Sequence, residues 1–253
     1  MPAATPRTSD SPACDGCTPP RASAMARLPR LTVPGLLHLV VQPAQAGVDV
    51  FPDAADRQVY LDALAIAAHQ AGVAVHAYGL LSHEVRMLVT PQQDSSLGRM
   101  MQSVGRRHVP YFNQHHARRG SPWQGRFRST VIEAAAHFVD CLQFVEEGES
   151  DSQAADGTRS SLAHHLGQQT SPWLTEHPMF WSLGNTPFDR EDTYRIRRNA
   201  GVAASRRQAI VAAVMKGWAL GSEAFVAALQ VRQPRRVSPL RRGRPRTQSV
   251  PNI

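Results

Sequence analysis

The sequence predicts an α+β protein: an antiparallel sheet with helices on one face, followed by a helical extension and a basic tail. Two observations carry this. Residues 36 to 147 alternate short apolar runs with helix-period stretches in the order β-α-β-β-α-β-α. Beyond them the pattern turns polar, then helical, then purely basic. With 253 residues the chain is long enough for one sizeable domain with extensions.

Each element has a local reason. "LLHLVVQ" (36–42) is an apolar run that reads as a strand, closed by the "PAQAG" loop. In "DAADRQVYLDALAIAAHQAG" (53–72), Asp53 can cap a helix and Gly72 can end it. Val59, Leu61, Leu64, Ala68 and Ala71 form its apolar stripe. "VAVHAYGL" and "EVRMLVT" read as two strands joined by a tight "LSH" turn. Period-two alternation puts Val85, Met87 and Val89 inward and Glu84 and Arg86 together on the other side. A second helix starts at Ser95 or Ser96 and runs towards His116, with Pro110 expected to kink or split it. "GRFRSTVIE" (125–133) predicts a further strand, and "AAAHFVDCLQFVEEG" (134–148) a third helix. This order is the ferredoxin-like arrangement.

The chain divides into a leader (1–24), this domain (25–148), a Pro- and Gly-punctuated connector (149–187), a helical extension (188–231) and a basic tail (232–253). The leader has no apolar core of a secretory signal and is expected to be disordered, with Met25 as a possible start. The last 23 residues hold seven arginines, four prolines and no acid, the composition of a disordered cationic segment. No run of about 18 apolar residues exists, so no membrane partner is expected, and a cytoplasmic location follows by default.

Charge gives the first functional signal. The net charge is +8, and Lys216 is the single lysine. A GC-rich genome explains arginine over lysine but not the excess of base over acid. Guanidinium groups make planar, bidentate contacts to phosphate, so a polyanionic partner is expected. Between Ser95 and Ile132 no acidic residue occurs, while Arg99, Arg106, Arg107, Arg118, Arg119, Arg126 and Arg128 do. Tyr111, Phe112, Trp123 and Phe127 are interleaved with them. This pattern suits single-stranded or hairpin DNA, with phosphates on arginine and bases stacked on rings; the alternative is a solvated helix face beside core aromatics. In the tail, Arg242-Gly243-Arg244-Pro245 has the form of a minor-groove hook; the alternative is an unspecific cationic tail.

Other chemistry is weakly signalled. Cys14 and Cys17 form one CxxC with no second pair, and Cys141 stands alone, so no structural zinc site is expected. The pairs His115–His116 and His164–His165 fall in connectors rather than at ligand spacing on a regular element. No Gly-rich phosphate loop, GxSxG elbow or HExxH occurs.

Taken together, "MARLPRLTVPGLLHLVVQ", "YLDALAIAAHQAGVAVHAYGLLSHEVRMLVTP", "GRMMQSVGRRHVPYFNQHH", "SPWQGRFRST", "KGWALGSEAF" and "RRGRPR" resemble the REP-associated tyrosine transposases, a branch of the HUH single-strand DNA transposases. The resemblance runs from Met25 to about Arg246. It implies a ferredoxin-like domain that nicks and rejoins hairpin DNA, with Mg²⁺ or Mn²⁺ held by a His-x-His pair on a strand and a tyrosine nucleophile on a helix. The implied ligand positions here hold Glu84 and Arg86. The nucleophile position is Phe144, and the third ligand position is Gly148. The basic loop of the family after the first strand is "PAQAG". His83 and His76, with Tyr111, Tyr78 or Tyr60, are the residues nearest to a relocated site. The expectation is a transposase-type protein that binds structured or single-stranded DNA, with no catalytic residues, metal or cofactor retained. The rivals are an active tyrosine transposase with a relocated site, and a remnant without nucleic-acid function.

Overall fold

The computed structural model describes residues 30–148 and 159–239. Four strands form one sheet: β1 (Leu37–Pro43), β2 (Val73–Leu80), β3 (Glu84–Pro91) and β4 (Arg128–Ile132), in the order β2-β3-β1-β4. Every neighbouring pair is antiparallel, with Val40 opposite Met87 and Ser129, and Val41 opposite Arg86 and Arg128. The strands fall within a residue or two of the predicted ones, except that β4 starts at Arg128 rather than 125.

Helix α1 (Ala54–Ala71) begins where Asp53 accepts from the Asp56 amide and ends at Gly72, which sits in the left-handed region at φ 65°. That is the predicted cap and stop. Helix α2 (Ser96–His115) passes through Pro110 without a break, so of the expected kink or split the split does not occur. Proline removes one N–H from the interior of the helix, and packing of Val104, His108 and Phe112 holds the helical turns on either side of it. Ser95 occupies the cap position without a side-chain cap bond, and Ser96 Oγ instead donates to Ala71 O at 2.7 Å, tying α2 to the end of α1.

Helices α1 and α2 cover one sheet face, where Val40, Val85, Met87 and Val89 meet Leu64, Leu97, Met100 and Phe112. The third helix, α3 (Ala134–Glu146), lies on the opposite face over Leu39, Val41, Ala77 and Leu88. The helices are therefore not confined to one side. The physical cause is that the strands are apolar on both faces, so each face needs a cover. Gly79 permits the approach of α3, because a Cβ there would lie 2.0 Å from the Val145 carbonyl oxygen.

The extension completes that second layer. Short helices α4 (Leu162–His165) and α5 (Pro178–Trp181) precede α6 (Pro187–Ala200), α7 (Ala204–Lys216) and α8 (Glu223–Arg232). Leu162, Phe180, Tyr194, Ile210 and Val214 join the α3 core. The connector also covers the β2 edge: Leu80 N donates to Arg159 O, Ser161 N to Tyr78 O and Thr175 N to Val75 O. At the other edge, Leu220 N donates to Val131 O. Both exposed strand edges are thereby blunted against further pairing.

Candidate functional site

The second sheet face brings together Glu84, Arg86 and Phe144, three of the residues at the positions that the transposase resemblance assigns to chemistry. Glu84 and Arg86 share that face two residues apart, and α3 carries Phe144 above them. Arg86 Nε donates to Glu84 Oε1 at 2.6 Å, the pairing expected from their alternation. Its Nη1 donates to the Phe144 carbonyl at 2.8 Å, and its Cζ lies 4.3 Å from the Phe144 ring centroid. The Arg86 side chain is only 11 % exposed. A fixed guanidinium stands in the middle of the group, Phe144 has no hydroxyl, and Gly148 offers no side-chain donor. These residues do not fit Mg²⁺ or Mn²⁺, since a single carboxylate already paired with a cation cannot hold another.

Beside this group lies a buried polar knot. Glu146 Oε1 accepts from His165 Nδ1 and Ser161 Oγ, both at 2.5 Å, and Oε2 accepts from the Tyr194 hydroxyl at 2.6 Å. Burial by itself would raise the Glu146 carboxyl, but the His165 charge and three donated bonds hold it below the usual carboxylate range. The knot fastens the end of α3 to α4 and α6. His165 is thus a partner of a buried acid rather than a connector residue, which no local pattern could reveal.

The arginines predicted to meet DNA fall into three groups. Arg106 and Arg107 are exposed on α2 and make no hydrogen bond or ion pair among the described residues; Arg119 is likewise exposed beyond its end. Arg99 and Arg118 are exposed but engaged: Arg99 donates to Ala71 O and Gln93 Oε1, and Arg118 lies 5.9 Å from the Phe112 ring centroid. Arg126 and Arg128 line a cleft of about 280 Å³ between the start of β4 and the end of α7. Arg242 and Arg244 lie outside the described residues. Three of the four expected base-stacking rings are a correction: Phe112, Trp123 and Phe127 are buried, while Tyr111 is half-buried and stacks on His115. Phe112 and Trp123 pack with Phe51, Tyr60 and His108, and Arg30 lies over Phe127. A buried core between helices and sheet claims aromatics wherever they fall on the inner side.

The cleft adds residues that sequence reasoning did not select. Arg30, Lys216 and Arg235 line it with Arg126 and Arg128, and among the described residues no acidic one does. Arg30 Nε donates to Phe127 O at 3.0 Å. Arg128 donates to Met215 O at 2.9 Å and Arg235 to Gly217 O at 2.8 Å, both at the C-terminal end of α7, where cations suit the helix dipole. Arg126 and Lys216 are exposed at the rim. The only sequence signal for this convergence was the basic excess itself, since the lining comes from four separate segments.

A further cluster was missed outright. Asp53, His115 and His116 each bring one donor atom to within 4.8 Å of the others, at the meeting of the α1 N-terminus and the α2 C-terminus. His115 ends α2 and His116 caps it, so the pair does not fall in a connector.

No family model matches the chain, and no curated protein matches it. Two solved structures are similar in part. One is a REP-associated tyrosine transposase bound to a REP hairpin, at 11 % identity and a TM-score of 0.42, over 60 % of this chain and 92 % of that one. The other is a protein of Deinococcus radiodurans provisionally assigned as a transposase, at 22 % identity and a TM-score of 0.33, over 47 % of this chain and 95 % of that one.

Proposed function

We propose that the protein is a transposase-type DNA-binding protein that holds structured or single-stranded DNA without cutting it. The observation that carries the binding is the acid-free cleft of Arg30, Arg126, Arg128, Lys216 and Arg235. Five cations converge there, and the exposed Arg106, Arg107 and Arg119 add positive charge on α2 and beyond its end. Such a surface favours a phosphate backbone through counterion release, which makes affinity steeply salt-dependent. Because three of the four rings expected to stack bases are buried, backbone contacts rather than base stacking would dominate the affinity.

The absence of cleavage follows from the Glu84–Arg86–Phe144 group. Strand transfer through a phosphotyrosine requires an oxygen nucleophile, and a phenyl ring has none. Arg86, paired with Glu84 and covered by the Phe144 ring, places a fixed positive charge where a metal ion would be needed.

The test has two arms. Hairpin, single-stranded and duplex DNA are titrated against the full chain at two salt concentrations, with Arg106→Ala/Arg107→Ala and Arg126→Ala/Lys216→Ala as variants. Each pair should weaken binding and flatten the salt slope by roughly 1 to 2 phosphate contacts. Salt-insensitive or absent binding by the unmodified chain would exclude the proposal. In the second arm labelled hairpin DNA is incubated with Mg²⁺ or Mn²⁺ and run on a denaturing gel. A metal-dependent covalent adduct would instead identify an active, relocated site.

A further inference from the structure

We infer that Asp53, His115 and His116 form a binding site for one divalent cation of the zinc type, which clamps the start of α1 to the end of α2. The expectation from sequence was that no metal is held, so this site is additional to the DNA-binding reading and independent of it.

The local structure explains the convergence. Asp53 is fixed as the α1 cap because its Oδ1 accepts from the Asp56 amide at 2.8 Å. That leaves Oδ2 free to face His115 Nε2 at 3.3 Å. His116 Nε2 donates to both oxygens of Asp56, at 3.0 and 2.9 Å. Asp56 is fully buried, whereas Asp53 and His115 are close to half exposed. An ion can thus enter from solvent and meet a buried negative charge behind the open ligands. Both imidazoles are held by neighbouring rings. Tyr111 stacks on His115 with 5.5 Å between centroids, and Phe112 lies 4.6 Å from His116.

The dimensions suit a small ion. Tetrahedral zinc with bonds of about 2.1 Å requires ligand separations of roughly 3.4 Å. The 3.3 Å Asp53–His115 spacing already matches, and the ligand atoms of all three residues lie within 4.8 Å of one another. Two imidazoles and a carboxylate favour Zn²⁺, Co²⁺ or Ni²⁺ over Mg²⁺, which prefers oxygen ligands alone. Asp56 is placed either to orient His116 or to enter as a fourth ligand. Among the described residues no other group of three His, Cys, Asp or Glu side chains meets this condition.

A different account needs no ion: the His–Asp contacts fasten two helix ends whose dipoles favour acids at the α1 start and imidazolium at the α2 end. The two accounts differ in what Zn²⁺ does. If the site binds metal, the ion also fixes the segment that follows, which carries Arg118 and Arg119.

The test uses the full chain bearing Cys14→Ser and Cys17→Ser, so that the thiol pair cannot compete. Co²⁺ absorption and Zn²⁺ calorimetry at neutral pH should show one ion bound, with intense visible bands of low-coordinate Co²⁺ and a rise in Tm on adding Zn²⁺. Asp53→Asn keeps the helix cap, since Asn caps as well as Asp, and His115→Gln changes an exposed residue, so both should fold. Each should lower Zn²⁺ affinity at least about tenfold and abolish the Tm rise. No binding up to roughly millimolar Zn²⁺, or an affinity in both variants unchanged from that of the chain with Asp53 and His115 intact, would overturn the site. A Tm lowered by His115→Gln with no response to Zn²⁺ in either chain would identify the ion-free clamp instead.

Discussion

The Arg86 guanidinium donates to Glu84 and to the Phe144 carbonyl while its face rests on the Phe144 ring. Three different interactions converge on one planar group, a combination that lysine could not make. Arg86→Met keeps much of the stem packing but strips Glu84, itself 18 % exposed, of its cation. The expected loss is about 1 to 3 kcal/mol, the cost of leaving buried polar partners unmatched, read from urea denaturation. Phe144→Tyr should leave the hairpin gel unchanged, because a restored hydroxyl still faces a guanidinium instead of a metal ion. An adduct formed by that single variant would show that a hydroxyl is the one group the site lacks for this chemistry.

Helix α2 shows an element that tolerates an internal break in its bonding. Pro110 is exposed and cannot donate to the carbonyl four residues before it, yet the helix runs on to His115. Proline in a helix interior costs roughly 3 kcal/mol relative to alanine. Pro110→Ala should therefore raise stability, by about 2 kcal/mol since the helix has already adjusted around the ring, as measured by thermal or urea unfolding. A destabilised variant would mean that proline holds a bend which the α1–α2 packing requires. Helix α3 depends on the opposite device. The backbone of Gly79 almost touches it, and Val145 packs into the second core only because no side chain intervenes.

For the molecule as a whole, covering both sheet faces buries several imidazoles. Burial pushes His38, His76 and His108 down to about 4. His38 and His76 are satisfied in their neutral forms: His38 Nδ1 donates to Leu36 O and its Nε2 accepts from Val33 N, and His76 bridges Thr175 O and Thr90 Oγ1. An unfolded chain takes up protons at these histidines near 6.5, whereas the native one does so only near 4. Stability should therefore fall as pH drops from 6.5 towards 4. Glu146 extends the trend, because its depressed carboxyl contributes stability above its unfolded value of 4.5 that is lost as pH falls through the lower folded value. Tm against pH should decline steadily from neutrality into acid, and imidazole NMR near about pH 5 should find the three rings neutral. A flat Tm profile over that range would contradict the buried state of these histidines.

Much of this architecture was legible in the chain. Caps, stops and alternation are local, so Asp53, Gly72 and the "EVRMLVT" pattern placed α1 and β3 and put Glu84 beside Arg86 on one side. The lack of a hydroxyl at Phe144 was equally plain from its identity. Other features depend on groups far apart in the sequence and had no local signature. Phe144 reaches Arg86 across 58 residues, and His115 reaches Asp53 across 62. Strands apolar on both sides do not say which face a following helix will cover, so α3 had to be placed by packing. Aromatics interleaved with arginine look alike whether they stack bases or fill a core. Burial between α1, α2 and the sheet settled that, because a close-packed interior takes the large rings before the surface can use them.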